Sequence, residues 1–481
     1  MADVTIVGAG PTGLMLAGEL ALAGVDVAVL ERRTTTELVG SRARGFHGRT
    51  VELFDQRGIA ERFLEAGMTA QVLSFANLPL DVAALPSRHA YTVGIPQAEV
   101  ERILLEWITE LGVAVTRGVE VTGFTQDADG VRLETSAGPL TSAYVVGTDG
   151  GRSVVRKGAG IDFVGAEPTR SHLIAEVSIT EPAETGMGID ELGIHAINVQ
   201  PDGTSAGVVV TELEVGTDEP TLDDLRAAML GAWGTDFGVH DPTSLSRFTD
   251  ATRQAVGYRD GRVLIAGDAA HTHPPVAGQG IGLGVGDAVN LGWKLAQVAR
   301  GQSPAELLDS YQAERHPVTE RILDNVMTQA WLQRSDRRTD AVRRTFAELM
   351  RGDEARTRMA GLLSGLDAAY DLGEGHPLLG RRMPDLDLVV EGRPVRAYEL
   401  LRPARPVLLD LGATPDLAPR AGVELHHAAY DGEWVLPVVG EVSAPTAVLI
   451  RPDGHVAWVG EGSEDGLGEA VATWFGGGVL S

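Results

Sequence analysis

The chain has 481 residues, with 40 lysines and arginines against 67 aspartates and glutamates, for a formal charge of −27. That excess argues against a nucleic-acid or anionic-membrane partner, because phosphate surfaces are bound by clustered cations. There is no cysteine, which excludes a disulfide framework, a thiolate nucleophile and cysteine-ligated metal or iron–sulfur centres. Hydrophobic residues make up 43%, ample for several buried cores. No apolar run reaches the roughly 20 residues that cross a bilayer. The start MADVTIVGAG carries no basic leader or long apolar stretch, so a cytoplasmic location is expected.

Residues 1–31 read as a strand (DVTIV), a glycine-rich turn, a helix (TGLMLAGELALA, stopped by Gly24) and a parallel strand (VDVAVLE). A helix is predicted from about Thr50 through RTVELFDQRGIAERFLEAG. Another covers PQAEVERILLEWITELG, with Glu99, Arg102 and Glu106 on one polar face. Turn residues and short β-like runs fill 73–96. Between 113 and 147 the pattern predicts a meander returning to a parallel sheet. Residues 166–257 alternate as exposed-face strands (HLIAEVSI, GIHAINVQ, TSAGVVVTEL) before the helical TLDDLRAAMLGAWG, and read as a separate β-rich layer. RVLIAGDAA at 262–270 predicts a buried strand, followed by a turn-rich stretch and the helix DAVNLGWKLAQVARG. A long helix is expected at about 304–330, and charged helical segments at 335–375. After Pro377 strands return (PVRAYELL, PVLLDLG, TAVLIRPDGHVAWVG) and a helix closes 465–475, so 376–481 has the size and βαβ pattern of an independent module.

Gly8-x-Gly10-x-x-Gly13 follows a strand and opens a helix, where a dinucleotide turn belongs. Gly8 permits the tight turn, Gly10 lets backbone approach a pyrophosphate, and Gly13 lets the helix pack closely on the strand; Thr12 lies within the turn. Glu31 ends the second strand, where a carboxylate accepts from ribose hydroxyls and disfavours a 2′-phosphate, so the resident dinucleotide is FAD or NAD. Arg32 and Arg33 either stack on the adenine or solvate the strand end. Two distal stretches decide for a flavin. In VVGTDGGRSVVR (145–156) a strand delivers Thr148 and Asp149 to a Gly-Gly turn. In RVLIAGDAAHTHPPVAGQG (262–280) Asp268 can accept from a polyol chain, Pro274 and Pro275 fix a bend, and Gly278, Gln279 and Gly280 open the next helix with bare amides. A flavin needs a ribityl acceptor and a helix N-terminus near its pyrimidine edge. His271 and His273 lie two apart without a nearby third ligand, so no metal is expected. No serine has a nucleophile-elbow setting.

Together GAGPTG, Glu31, the segment SRARGFHGRTVELFDQRG, Gln97 opening PQAEVERILLE, TDGGRSVVR and GDAAHTHPPVAGQG…GDAVNLGWKLA resemble the class A flavoprotein aromatic hydroxylases. The chain looks closest to the bacterial polyketide-tailoring branch that includes rifampicin monooxygenases, over essentially its whole length. The resemblance implies an α/β fold: a Rossmann-like FAD-binding domain of the glutathione-reductase type (1–72, 97–165 and 258–330), an inserted β-sheet substrate domain (73–96, 166–257 and 331–375) and a thioredoxin-like C-terminal domain without redox cysteines (376–481). The chain departs from the pattern at Ile281-Gly282-Leu283 and Val285-Gly286-Asp287, where relatives usually have an Asn and often a Gln, and at Arg44, usually apolar.

The cofactor site implied comprises Gly8, Gly10, Thr12, Gly13, Glu31, Arg32, Arg42, Gln97, Val121, Asp149, Asp268, Pro275, Gly278, Gln279, Gly280 and Ile281. Arg42 would touch the flavin as it swings, Gln97 would bond the ribose region, and Val121 would give adenine backbone contacts. FAD would be non-covalent and NADPH a transient hydride donor without its own nucleotide fold. Hydride passes from NADPH to flavin, and dioxygen adds to form a flavin hydroperoxide. That oxidant hydroxylates a phenolic polycycle of polyketide type, in antibiotic or secondary-metabolite biosynthesis or modification. Baeyer–Villiger insertion or an oxidase on the same scaffold is the near alternative, and an NAD-dependent dehydrogenase or a non-enzymatic flavoprotein sensor or scaffold the distant ones. No catalytic side chain is assigned. Substrate is expected between the β-rich layer and the flavin ring, lined by parts of 73–96 and 195–235, in a monomer or homodimer.

Overall fold

The computed structural model describes residues 2–38, 45–75, 78–216, 218–276, 278–412 and 417–476. Its central sheet runs Val115–Arg117, Val27–Glu31, Ala2–Val7, Leu140–Gly147, Val263–Ile265, and all four pairings are parallel. Helices cover both faces of such a sheet, so its strands are apolar without alternation; Val4, Ile6, Val29, Val145, Val146 and Leu264 are accordingly fully buried. Helix Pro11–Leu22 packs between Gln97–Glu110 and Gly280–Ala299.

A second sheet is antiparallel, in the order Gly186–Asp190, Gly193–Val199, Ser205–Thr211, Ser171–Ser178, His240–Thr249. Helix Leu222–Trp233, opened by a capping box of Thr221 and Asp224, covers its apolar residues Leu173, Val208 and Val210 with Leu225 and Met229. A separate small core joins Leu73, Phe75 and Leu80 to Leu332, Met350 and Leu363, from the region of helices Arg337–Leu349 and Asp353–Ser364.

The C-terminal sheet runs Arg393–Arg396, Asp387–Val390, Glu424–Ala429, Val407–Asp410, Ala447–Ile450, Val456–Gly460, with only the Val407–Asp410/Glu424–Ala429 pair parallel. Its last helix, Leu467–Phe475, sets Trp474 and Phe475 against Trp293, with ring centroids 6.2 and 5.9 Å apart. Below that contact Arg451 donates to Glu314 at 2.6 and 2.8 Å and pairs with Asp453, while Lys294 Nζ donates to Glu314 at 2.8 Å. Arg57, paired with Glu19 at 2.6 Å, also donates to the carbonyls of Pro452 at 2.7 Å and Leu401 at 3.1 Å. Buried ion pairs therefore cross from the first 326 residues into the last hundred.

Three elements differ from the sequence reading. The helix expected from Thr50 is two, Gly48–Asp55 and Ala60–Ala66, because Gly58 adopts a left-handed φ of +71° between them. In RVLIAGDAA only Val263–Ile265 is strand; Gly267 turns the chain into a short 3-10 segment at Gly267–Ala269. PVRAYELL is half strand, Arg393–Arg396, and half helical turn, Ala397–Leu400. Among the described residues no helix is long and apolar enough to cross a membrane.

Candidate functional site

The glycine turn is shaped by contact. A Cβ on Gly8, whose φ is +109°, would lie 2.6 Å from the Thr148 carbonyl oxygen, and one on Gly13 would lie 2.0 Å from the Gly8 carbonyl oxygen. Gly10, the residue before helix Pro11–Leu22, would meet nothing within 4 Å. The end of the helix is thus open on the side where its free N–H groups and positive dipole end lie. The Thr148 hydroxyl reaches the carbonyls of Gly8 (2.8 Å) and Val7 (3.0 Å), tying the second flavin motif to the first.

Glu31 sits behind this turn. Its Oε2 accepts the Ala9 amide at 2.8 Å and its Oε1 accepts the Arg33 amide at 2.8 Å. Burial pushes its pKa up, but these hydrogen bonds and the Arg33 guanidinium prevail and hold it below the usual carboxylate range. Arg33 goes on to Glu101 Oε2 at 2.8 Å, and Gln97 Nε2 donates to Glu101 Oε1 at 2.9 Å.

A cleft of about 1020 Å³ starts at this turn. Gly10, Thr12, Arg32, Gln97 and Thr148 line it here. Asp268, Pro275, Gly278, Gln279, Gly280 and Ile281 line its middle. In the otherwise buried run Val263–Ala270, Asp268 alone is exposed, and it faces this cleft. The Gly280–Ala299 helix begins there, presenting free amides. At the far end stand Leu73, Ser246, Phe248 and Leu363. No described residue of 195–235 lines the cleft; the antiparallel sheet contributes Ser246, Phe248, Thr249 and Ala251 instead, because His240–Thr249 is its edge strand beside Ser171–Ser178.

The turn carrying Asp268 is clamped from behind. Asp287 accepts the Gly267 amide at 3.1 Å, contacts His271 Nε2 at 2.7 Å and accepts Arg315 Nε at 2.8 Å. Burial pushes the Asp287 carboxyl up, and His271 and Arg315 more than offset this, keeping it ionised. Arg156 donates to the carbonyls of Ala269 and Gly151, each at 2.8 Å, joining the second and third motifs.

Gly8, Gly13 and Glu31 support the cleft without lining it. Val121 is buried, 5% exposed, at the start of strand Val121–Gln126. The Asp149 carboxylate accepts from the Val154 amide at 2.7 Å and the Ser153 hydroxyl at 2.5 Å, which makes it a cap for helix Val154–Gly158. Arg42 and Arg44 lie outside the described residues. Ser246, Phe248 and Leu363 line the cleft without any local motif to announce them; Phe46 and His47 come from the segment SRARGFHGRTVELFDQRG, and Leu73, Ser74, Thr92, Val93 and Gly94 line it from the expected stretch 73–96.

An open helix end, an exposed strand-end carboxylate and a second free helix N-terminus along one cleft fit an extended dinucleotide bearing a flavin, and the protein is thereby defined as an FAD-dependent oxidoreductase. Residues 1–326 match the FAD binding domain family, and residues 376–477 match the family described as aromatic-ring hydroxylase, C-terminal. The chain belongs to the FAD-dependent aromatic-ring monooxygenases. It is 42% identical over 501 residues to the 12-dehydrotetracycline 5-monooxygenase/anhydrotetracycline 6-monooxygenase of Streptomyces rimosus, covering 98% of this chain and 99% of that protein. It is 44% identical over 492 residues to the rifampicin monooxygenase of Streptomyces venezuelae, covering 99% of each. Among solved structures, the anhydrotetracycline hydroxylase OxyS from Streptomyces rimosus superposes with a TM-score of 0.89 at 42% identity, covering 99% of this chain and 100% of that one.

Proposed function

We propose that this protein hydroxylates a phenolic polycycle of polyketide type in the making or modification of an antibiotic-like metabolite. NADPH is the reductant and dioxygen the oxygen source. One oxygen atom enters the ring and the other leaves as water, with NADPH oxidised to NADP⁺ and one proton taken up from solvent. The carrying observation is the cleft itself: about 1020 Å³ runs from the nucleotide end to a sheet wall of Ser246 and Phe248, space for cofactor and fused rings together. The relatives named for tetracycline frameworks and for rifampicin support a polycyclic substrate.

FAD, when bound, supplies hydride acceptance and dioxygen activation. The chain's part is to hold and to exclude. Gly10 and the start of helix Pro11–Leu22 would hold the pyrophosphate, and Asp268 would accept from the ribityl hydroxyls. Gly278, Gln279 and Gly280 would offer amides and a positive dipole end to the flavin's pyrimidine edge. Pro275, Leu73 and Phe248 keep water from the reacting face. A phenol ring is already electron-rich, so no side-chain base is required. The Ser171–Thr249 sheet serves as the inserted substrate layer. The segment 376–481 is a thioredoxin-like domain whose role, without cysteines, is structural. NADPH docks transiently in a groove.

The test is a spectrum of the pure protein, then NADPH consumption against a panel of polycyclic phenols, with the product weighed. A flavin spectrum and a product one oxygen heavier with its phenol ring system unchanged are expected. A lactone of the same mass indicates Baeyer–Villiger insertion. NADPH oxidation yielding only hydrogen peroxide with every phenol would defeat the proposal.

A further inference from the structure

The chain carries a net charge of −27, yet residues 334–344, RSDRRTDAVRR, hold five arginines against two aspartates. This basic stretch leaves the long helix Asp309–Leu332 and runs into helix Arg337–Leu349. It is tied to the sheet wall of the cleft. Arg334 Nη2 donates to the Thr169 hydroxyl at 2.7 Å, and that hydroxyl donates to Asp250 at 2.6 Å. Asp250 lies between Thr249 and Ala251, both of which line the cleft.

Two guanidiniums stand at this corner without a carboxylate. Half-buried Arg170 makes no ion pair and no side-chain hydrogen bond with any described residue. Arg334 lies over the exposed ring of Trp331 at 3.9 Å and has no ion pair with a described residue either. The acids nearby are taken up by backbone. Asp250 accepts the amides of Thr169 at 2.7 Å and Arg170 at 2.9 Å, and Asp336 caps helix Arg337–Leu349 through the amides of Arg338 at 2.8 Å and Thr339 at 3.0 Å. Burial and then the charge of Arg334 push the Arg170 pKa down, against the weaker pull of Asp250 and Asp336. Two like charges thus share a partly dried corner, an unfavourable arrangement on its own. On the neighbouring strands, by contrast, Arg253 is paired with Glu167 at 2.7 Å and Arg247 with Glu212 at 2.6 Å.

We propose that Arg170 and Arg334 receive the 2′-phosphate of NADPH, whose nicotinamide end enters the cleft beside Thr249 and Ala251. The inference rests on the reading of the protein as an NADPH-consuming monooxygenase. Charge argues for a phosphate monoester: it is close to dianionic at neutral pH and matches two unpaired cations, where a carboxylate would answer only one. Geometry agrees, since a guanidinium fork meets two phosphate oxygens at once and the Trp331 ring already holds the plane of Arg334. A polyanion such as nucleic acid is disfavoured by the net charge of −27. The glycine turn is closed to this group, because Glu31 stands behind it and an acid there repels a 2′-phosphate. A place outside the FAD-holding residues also lets the hydride donor come and go while FAD stays.

The experiment titrates the purified holoenzyme by calorimetry with NADP⁺ and NAD⁺, which differ only in the 2′-phosphate. NADP⁺ is expected to bind once per chain and at least tenfold more tightly than NAD⁺, with a margin that shrinks as salt rises. Arg170→Gln and Arg334→Gln should each erase most of that margin, and Arg170→Lys, which keeps the charge without the fork, should restore part of it. In steady-state assays the ratio of kcat/KM for NADPH over NADH should fall at least tenfold in both glutamine variants. Equal affinities of the wild type for the two nucleotides overturn the proposal, and so does a margin that survives both substitutions. Should Arg170→Gln fail to fold, Arg334→Gln decides alone. If no phenol accelerates NADPH consumption, the functional reading fails, while the calorimetric margin and its loss in the variants still decide the site.

Discussion

The Ala9 amide donates to Glu31 Oε2 at 2.8 Å, so the end of the second strand is fastened to the middle of the glycine turn. Position and charge of that carboxylate shape the turn before any ribose is present. Glu31→Gln keeps the size and removes the charge-assisted part of the bond, and FAD affinity should fall about tenfold, for ~1.4 kcal/mol. The folded pKa of Glu31 is depressed, so its contribution to stability is full above the unfolded value and is lost as pH falls through the lower folded one. Urea midpoints between pH 3 and 6 should therefore show a shallower acid limb in the variant; identical limbs would detach Glu31 from the turn.

Asp268 presents a different case, being exposed to the cleft and without a side-chain hydrogen bond to any described residue. Asp268→Ala should leave the melting temperature of the apo-protein unchanged. It should weaken FAD by about ten- to a hundredfold, the ~1.5–3 kcal/mol of hydrogen bonds to a charged group. Titration of apo-protein with FAD reads this directly, and an unchanged dissociation constant removes Asp268 from the ribityl position.

Two buried histidines contribute to the acid limit. His172, stacked on Phe248 at 4.9 Å and within 2.9 Å of the Thr211 hydroxyl, and His455 are both held at about 4 by burial. The unfolded chain binds these protons near pH 6.5 and the native chain does not, so stability rises with pH between about 4 and 6.5. Two such groups give a slope of up to about 2.7 kcal/mol per pH unit in the middle of that window. Replacing His455 with Phe should lower the slope by up to about 1.4 kcal/mol per pH unit, and an unchanged slope would count against that assignment.

The ion network at the C-terminal segment makes a fourth expectation. Removing the guanidinium of Arg451 leaves Glu314 and Asp453 with a buried surplus of negative charge. Arg451→Met should cost about 3–5 kcal/mol, the range for one broken partner of a buried pair. Denaturant midpoints measure it. A loss below about 1 kcal/mol would mean that the network relaxes or hydrates. Truncation after Pro377 is harsher than the sequence alone implies, because it strips Trp293, Glu314 and Arg57 of partners as well. The expected outcome is an insoluble or early-melting remainder, seen in a solubility assay.

The legible parts were those where local physics dictates one geometry. A strand, three spaced glycines and a helix leave one way to turn, and the apolar run before Asp268 announces a buried strand whose end must face something polar. What escaped were contacts between segments with nothing local to mark them. Phe248 reaches the cleft because His240–Thr249 pairs with Ser171–Ser178 at the sheet's edge, a register that alternation does not rank. Asp149 looked like a cofactor residue from its place beside Gly150, yet three residues of helix onset claim its oxygens. Asp287 stood within a departure from the family pattern, and only the fold shows it gripping Gly267, His271 and Arg315 together.

The parallel sheet also dictates a timetable. Its strand Val263–Ile265 pairs directly with Leu140–Gly147, but the ribosome makes it only after the whole Ser171–Thr249 sheet. Until then the nascent chain has a glycine turn and an unpaired inner edge, the kind of surface that invites aggregation. Asp268 and the amides at 278–280 arrive later still, and Arg451 comes close to the end. Cofactor capture therefore waits for residues 263–280, and chains cut short before them should be cleared by proteases as empty fragments.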